Sequence, residues 1–236
     1  MAYIQTSKGK LHYKPQTLYV GIKQINKEIS IENLEVVNKV LRKNGVRYSF
    51  TYGTLLGAIR EHDFIAWDED IDLYVLGEDE EKLKDSFWEL IDEGFELLRY
   101  DKFWIYSIGR NGEYIDFYIY KKLDNDIRYL NCNAFFMPTE ITDNIINYEF
   151  KGGLYPVPRD YEKFLVIMYG KNWMTPLKYA NFEMSWFQKT KMKLFYIIKR
   201  NMPDFIYIPW STHYHKPLIE KFNKKFKDLG LKTIKK

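Results

Sequence analysis

Trp67-Asp68-Glu69-Asp70-Ile71-Asp72-Leu73-Tyr74-Val75-Leu76 runs from an acidic cluster straight into an apolar strand. Successive strand residues point to opposite faces, so positions two apart share one. Asp70 and Asp72 therefore project together, while Ile71 and Leu73 point to the opposite, buried side. Asp68 has the same parity but falls ahead of the strand proper. Two carboxylates held side by side repel each other, and hard divalent cations bound by oxygen are the usual remedy. The rival reading is a solvated acidic loop, because a bare Asp-x-Asp has low specificity.

Three features weigh against that rival. Phe64-Ile65 and Leu73-Tyr74-Val75 make the flanks apolar. Upstream, a short strand over Val46 to Thr51 runs into Gly53-Thr54, and a helix is expected over Leu55 to Arg60. Such a glycine turn lets backbone N–H groups approach a phosphate. Downstream, Ile115-Asp116-Phe117 places one carboxylate among strand apolars, which is costly unless it is paired or metal-bound.

Further out, Ile31, Leu34, Val37, Val40 and Leu41 follow helical spacing, with Ser30 as expected N-cap and Gly45 as stop. A strand is expected over Ile71 to Leu76 and a helix over Glu80 to Asp92, ended by Gly94. Strands follow over Phe95 to Tyr100, Phe103 to Gly109 and Tyr114 to Tyr120. Asn111-Gly112 is a hairpin turn, since both residues tolerate positive φ. A weaker strand lies in Arg128 to Phe136. Gly152-Gly153, Pro156 and Pro158 read as a loop, and a helix covers about Asp160 to Tyr169. The class is α+β: a mixed sheet with adjacent antiparallel strands, flanked by helices. Residues 1–20 read as an irregular segment, 21–176 as the catalytic domain, and 177–236 as a helical or irregular extension.

The chain has 236 residues, 46% of them apolar and 29% charged, enough for one domain with a sizeable core. Its net charge of +4 is too small to imply nucleic-acid binding. The excess sits in Lys221, Lys224, Lys225, Lys227, Lys232, Lys235 and Lys236, read as a solvated helix and tail. Cys132 has no intrachain partner, and no stretch has the length of a signal peptide's apolar region or a membrane span. These features fit a soluble cytoplasmic protein.

A Gly-Thr turn at a helix start, an Asp-x-Asp on the next strand and a third Asp on a later strand resemble the nucleotidyltransferase superfamily that includes DNA polymerase beta. The separation of Gly53 from Asp70 is somewhat long for that group. Locally, Tyr52-Gly53-Thr54-Leu55-Leu56-Gly57-Ala58-Ile59-Arg60 and Phe64-Ile65-Ala66-Trp67-Asp68-Glu69-Asp70-Ile71-Asp72 resemble the signature of the LicD family, which includes bacterial phosphocholine transferases, fukutin and fukutin-related protein. Ile115-Asp116-Phe117 resembles its third acidic motif. Pro156, Pro158, Asp160-Tyr161, Tyr169-Gly170 and Trp173-Met174-x-Pro176 resemble its C-terminal element. Glu69 stands where Asp is common, and Ala66 where Pro is common.

The resemblance implies a nucleotidyltransferase-like mixed sheet with a C-terminal helical extension. It implies Asp70, Asp72 and Asp116 as catalytic, metal-holding carboxylates for two Mg²⁺ or Mn²⁺ ions. It also implies a CDP-linked donor, a phospho-alcohol such as phosphocholine or ribitol phosphate transferred to a glycan hydroxyl, and CMP released. Asp116 is then the candidate to accept the hydroxyl's proton. Gly53 and Thr54 are expected to contact donor phosphate. Arg60 is read either as a phosphate contact or as a surface partner of Glu61 or Asp63, and Trp67 as core or as substrate platform. His62 reads as a solvated loop residue. His213 and His215 form a poor metal pair, lacking a third ligand. Two other functions stay open: transfer of NMP from an NTP, and a non-catalytic binding protein of the same fold.

Overall fold

The computed structural model describes residues 2–16, 18, 24–101, 105–130, 135–176, 187, 190, 191, 194, 198 and 202–234. Strand β1 (Ala2–Thr6) and strand β2 (Gly9–Tyr13) form a hairpin where the sequence suggested an irregular segment. Alternation explains it: Ile4, Leu11 and Tyr13 are buried while their neighbours face solvent. The hairpin is tied to the body by Trp88 Nε1, which donates to Thr6 Oγ1 at 3.0 Å, and by Ser7 Oγ, which donates to Asp85.

Helix α1 (Lys27–Lys43) starts earlier than expected. Asn26, not Ser30, is its cap, accepting from the Ile29 N–H at 3.2 Å. Strand β3 (Tyr48–Phe50) leads through Thr51 into α2 (Tyr52–Leu56), which widens into a π-type turn over Gly57–Glu61. Strand β4 (Ile71–Leu76) and helix α3 (Glu80–Asp92) lie where periodicity put them. Strands β5 (Glu96–Asp101), β6 (Ile105–Arg110) and β7 (Glu113–Lys122) follow. Asn111 and Gly112 turn β6 into β7 with φ of 55° and 81°.

The segment read as one weak strand is two, β8 (Ile127–Leu130) and β9 (Phe135–Pro138), paired antiparallel and followed by the short helix α4 (Thr139–Thr142). Cys132 and 131–134 lie outside the described residues. The Gly152-Gly153 region is the tip of a second hairpin, β10 (Ile145–Phe150) and β11 (Gly153–Pro158), rather than a loop. Pro156 and Pro158 are accommodated because this ribbon has only two strands, so their missing N–H groups interrupt no third strand. Helix α5 (Tyr161–Tyr169) follows. Most of the extension's first part, 177–201, lies outside the described residues, while α6 (Asp204–Asp228) confirms helix further on.

The main sheet runs β3-β4-β7-β6-β5, with β8 and β9 continuing from the far end of β7. The β4–β7 pair is parallel and the others are antiparallel, so this is the expected mixed sheet. On one face, Phe87 of α3 packs against Tyr106 and Phe117. On the other, Tyr74 of β4 stacks on Phe164 of α5 and donates its hydroxyl to the Thr142 carbonyl at 2.8 Å. Phe50, Phe64, Phe150 and Tyr155 join the second hairpin to β3. Such ring pairs add ~0.5–1.5 kcal/mol each beyond area burial. Phe222 of α6 closes on Phe135 and Phe136, and Lys225, expected in a solvated helix, donates to the Ile167 carbonyl at 2.8 Å. Among the described residues no helix is long and apolar enough to cross a membrane.

Candidate active site

Register places four side chains in a row across four strands. Asp72 of β4 is opposite Asp116 of β7, Asp116 is opposite Ser107 of β6, and Ser107 is opposite Arg99 of β5. Directly opposed residues share a face, so the row follows from strand pairing alone. Asp70 lies two positions ahead of Asp72, at the mouth of β4, and all three aspartates are largely buried.

The Gly53-Thr54 turn is laced to this row. The Gly53 N–H donates to Asp72 Oδ2 at 3.1 Å, and Thr54 Oγ1 accepts from the Asp72 N–H at 2.8 Å. The Thr51 N–H donates to the Asp72 carbonyl at 3.1 Å. Thr54 is buried, so its hydroxyl anchors the strand. Tyr52, which opens the turn, holds φ at 40°, a conformation that costs a bulky residue of order 1–3 kcal/mol. Its ring packs on Tyr118, with centroids 4.7 Å apart.

Burial pushes the Asp70 and Asp72 carboxyls well above the usual carboxylate range, and the neighbouring acids add to it. For Asp70 these are Asp72, Asp116, Asp68 and Glu69; for Asp72, Asp68 and Asp116. The Tyr118 hydroxyl and the Gly53 N–H pull Asp72 back in part. Burial also raises Asp116, against Arg99, Ser107 and Tyr118. Arg99 Nη2 donates to Asp116 Oδ2 at 2.6 Å and Ser107 Oγ donates to Oδ1 at 2.5 Å. Asp68 rises to about 6 through burial. Tyr114 and Tyr118 are held above the usual phenol range by burial and by these acids.

Among the described residues, no group of three or more His, Cys, Asp or Glu side chains stands arranged to hold a metal ion. The donor set nonetheless fits hard divalent cations: oxygen donors, shared burial, and a mutual repulsion that a cation would relieve.

The remaining residues separate. Arg60 pairs with Glu61, Nε to Oε1 at 2.9 Å, and donates Nη1 to the Trp173 carbonyl at 3.1 Å, but its side chain is only 7% exposed, so the pair is not the surface one expected. Trp67 is 44% exposed, so it is not core. His62 is exposed and lines a hollow of about 350 Å³ with Ala58, Tyr148, Glu149, Phe150 and Lys151, which includes none of Asp68, Asp70, Asp72 and Asp116. His215 is buried and hydrogen-bonded to the Tyr129 hydroxyl while His213 is exposed, so the two do not form a pair. Sequence reasoning missed Arg99 and Ser107, whose proximity comes only from register. It set Asp68 aside although the parity signal was there.

The parallel β4–β7 pair carrying opposed aspartates, with a glycine turn bonded to one of them, defines a nucleotidyltransferase-type domain. Residues 45–160 match the family model described as LicD/FKTN/FKRP, nucleotidyltransferase domain. It is similar to the lipopolysaccharide cholinephosphotransferase LicD of Haemophilus influenzae, 29% identical over 69 residues, 29% of this chain and 26% of that protein. It is also 31% identical over 94 residues to an uncharacterized protein of Rickettsia prowazekii, 40% of this chain and 34% of that protein. The matches thus span about a quarter to a third of these relatives' lengths. Among solved structures, the lincomycin-bound lincosamide antibiotic adenylyltransferase LnuA aligns at 12% identity and a TM-score of 0.43, over 69% of this chain and 93% of that one.

Proposed function

We propose that this chain is a metal-dependent phosphotransferase that moves a phospho-alcohol group from a CDP-linked donor to a glycan hydroxyl and releases CMP. The observation that carries the reading is the parallel register of Asp72 with Asp116, with Asp70 beside them, inside the stretch that matches the LicD family model. Asp70, Asp72 and Asp116 would hold the ions. Two Mg²⁺ or Mn²⁺ ions, when bound, would offset charge on the attacking and leaving oxygens.

The acceptor's hydroxyl oxygen forms a bond to the phosphorus that bears the small alcohol. The bond from that phosphorus to the CMP oxygen breaks, and CMP leaves with the electron pair. The hydroxyl's proton passes to Asp116, whose carboxylate is held by Arg99 Nη2 on Oδ2 and Ser107 Oγ on Oδ1. Arg99 and Ser107 fix the direction of that carboxylate. Gly53 and Thr54 shape the floor of the site, and exposed Trp67 offers a face on which a donor can stack. Little covalent chemistry is asked of the protein; position and charge carry the rate.

The test is a thermal-shift screen of CDP-choline, CDP-ribitol, CDP-glycerol and NTPs with a divalent ion, followed by product analysis. Cation-dependent stabilisation by a CDP-alcohol and release of CMP are expected. Pyrophosphate released from an NTP would replace this reading with nucleotidyl transfer. Binding of no nucleotide with or without the ion would leave a non-catalytic member of the fold.

A further inference from the structure

Gly53 stands early in α2, yet its φ is not in the left-handed region that favours glycine. Its N–H needs no glycine either, since any residue but proline donates one. What forbids a side chain is space. A Cβ at position 53 would lie 2.0 Å from Asp68 Oδ2, 2.8 Å from Cγ and 3.0 Å from Oδ1. All three atoms belong to one carboxylate.

The same glycine donates to Asp72 Oδ2 at 3.1 Å. One residue therefore seats two carboxylates, Asp72 on its N–H and Asp68 over its Cα. The backbone fixes Asp68 in that place: its N–H donates to the Ile65 carbonyl at 3.0 Å, and its carbonyl accepts from the Ile25 N–H at 2.8 Å.

We propose that Asp68 is a fourth working carboxylate of this site, and that position 53 is glycine to make room for it. It is a positioning residue: seated against Gly53 and next to Asp72, it adds negative charge that tightens the grip of the site on a divalent cation. The inference rests on the reading that Asp70, Asp72 and Asp116 bind that cation.

The experiment is a Mn²⁺ titration of the whole chain by calorimetry or electron paramagnetic resonance. Asp68→Asn keeps the shape and removes the charge. It is expected to weaken Mn²⁺ binding by about 10-fold, the low end for groups that act through a metal ligand. Its metal-free melting temperature should match or exceed that of the wild type, which a merely structural role would not give. Gly53→Ala meets only the end of a flexible side chain, so it is expected to fold, displace Asp68 and lose the same factor. The double variant should bind no more weakly than either single one, because both act on one group. Wild-type affinity in Asp68→Asn, or losses that multiply in the double variant, would overturn the inference and leave the phosphotransferase reading standing. A wild-type chain that binds no Mn²⁺ would overturn both.

Discussion

Two groups of buried charge sit on one sheet and are built in opposite ways. Around Arg128 of β8, which is 1% exposed, opposite charges meet. Its Nε and Nη2 fork onto Asp143 at 2.6 and 2.8 Å, and Nη1 reaches Glu78 at 2.9 Å and the Tyr120 carbonyl at 3.2 Å. Glu78 is held below its ordinary range, mainly by Arg128 against the effect of its own burial. At the mouth of β4, Asp68, Asp70, Asp72 and Asp116 share a space in which Arg99 pairs with Asp116, and every one of them is raised. Where the partner charge is built in, the cluster is a fastening. Where it is lacking, the protein carries a standing electrostatic cost that a bound cation would offset.

The sharpest way to break this contrast is to neutralise one member of each group. Asp72→Asn is expected to reduce CMP release on the order of 10³-fold or more, in line with loss of a main charge-stabilising group. Its metal-free melting temperature should stay level or rise, because a repelled charge has gone. Calorimetry beside the product assay checks both, and a variant that melts well below the wild type would erase the distinction. Arg128→Ala should do the reverse. Leaving Asp143 without its cation and Glu78 with Lys122 alone, and the space of a buried side chain unfilled, is expected to cost about 3 kcal/mol. For a chain of this size that is a fall of about 10 °C, with activity per folded molecule unchanged.

A smaller effect separates the two kinds of site by pH. Asp63 pairs with Lys27 and Lys151, both at 2.7 Å, and is lowered from 3.8 to about 2. Although burial is the largest single influence and acts upward, the two lysines and the Phe64 N–H outweigh it. The stability that this pairing contributes is present above about 4 and is lost as the pH falls toward 2. Asp68 is raised from 3.8 to about 6, so its contribution is present below about 4 and is lost as the pH rises through about 6. Metal-free melting curves should show Asp63→Asn below the wild type at neutral pH, by under ~1 kcal/mol after solvent screening, with the gap closing in acid. Asp68→Asn should draw above the wild type between pH 4 and 7. The same sign for both variants would count against the comparison.

Legibility followed the reach of each interaction. Strand β4, helix α3 and the Asn111-Gly112 turn were readable because period and turn chemistry are local. Asp70, Asp72 and Asp116 were readable as candidates from parity and from an isolated acid among apolars. Arg99 and Ser107 were not, since only the antiparallel register of β5 and β6 brings them to Asp116. The hairpin over Pro156 and Pro158 was misread because proline signals argue against strands wherever a third strand is assumed. Asn26 lay outside the apolar periodicity that located α1, so the cap was set one turn late. Asp68 was discounted because it precedes the strand, although a short segment held by backbone bonds keeps the same facing.

The parallel pairing of β4 with β7 also bears on how the domain assembles. These strands are not consecutive, and α3, β5 and β6 must be made between them before they can meet. Such long-range contacts require the loop-closure cost to be met first and slow folding. Until they form, Asp72 and Asp116 are separate acids on a fluctuating chain, no better at capturing a cation than any other pair. A cation site built on Asp72 and Asp116, as proposed, would therefore be complete only once β7 has paired with β4.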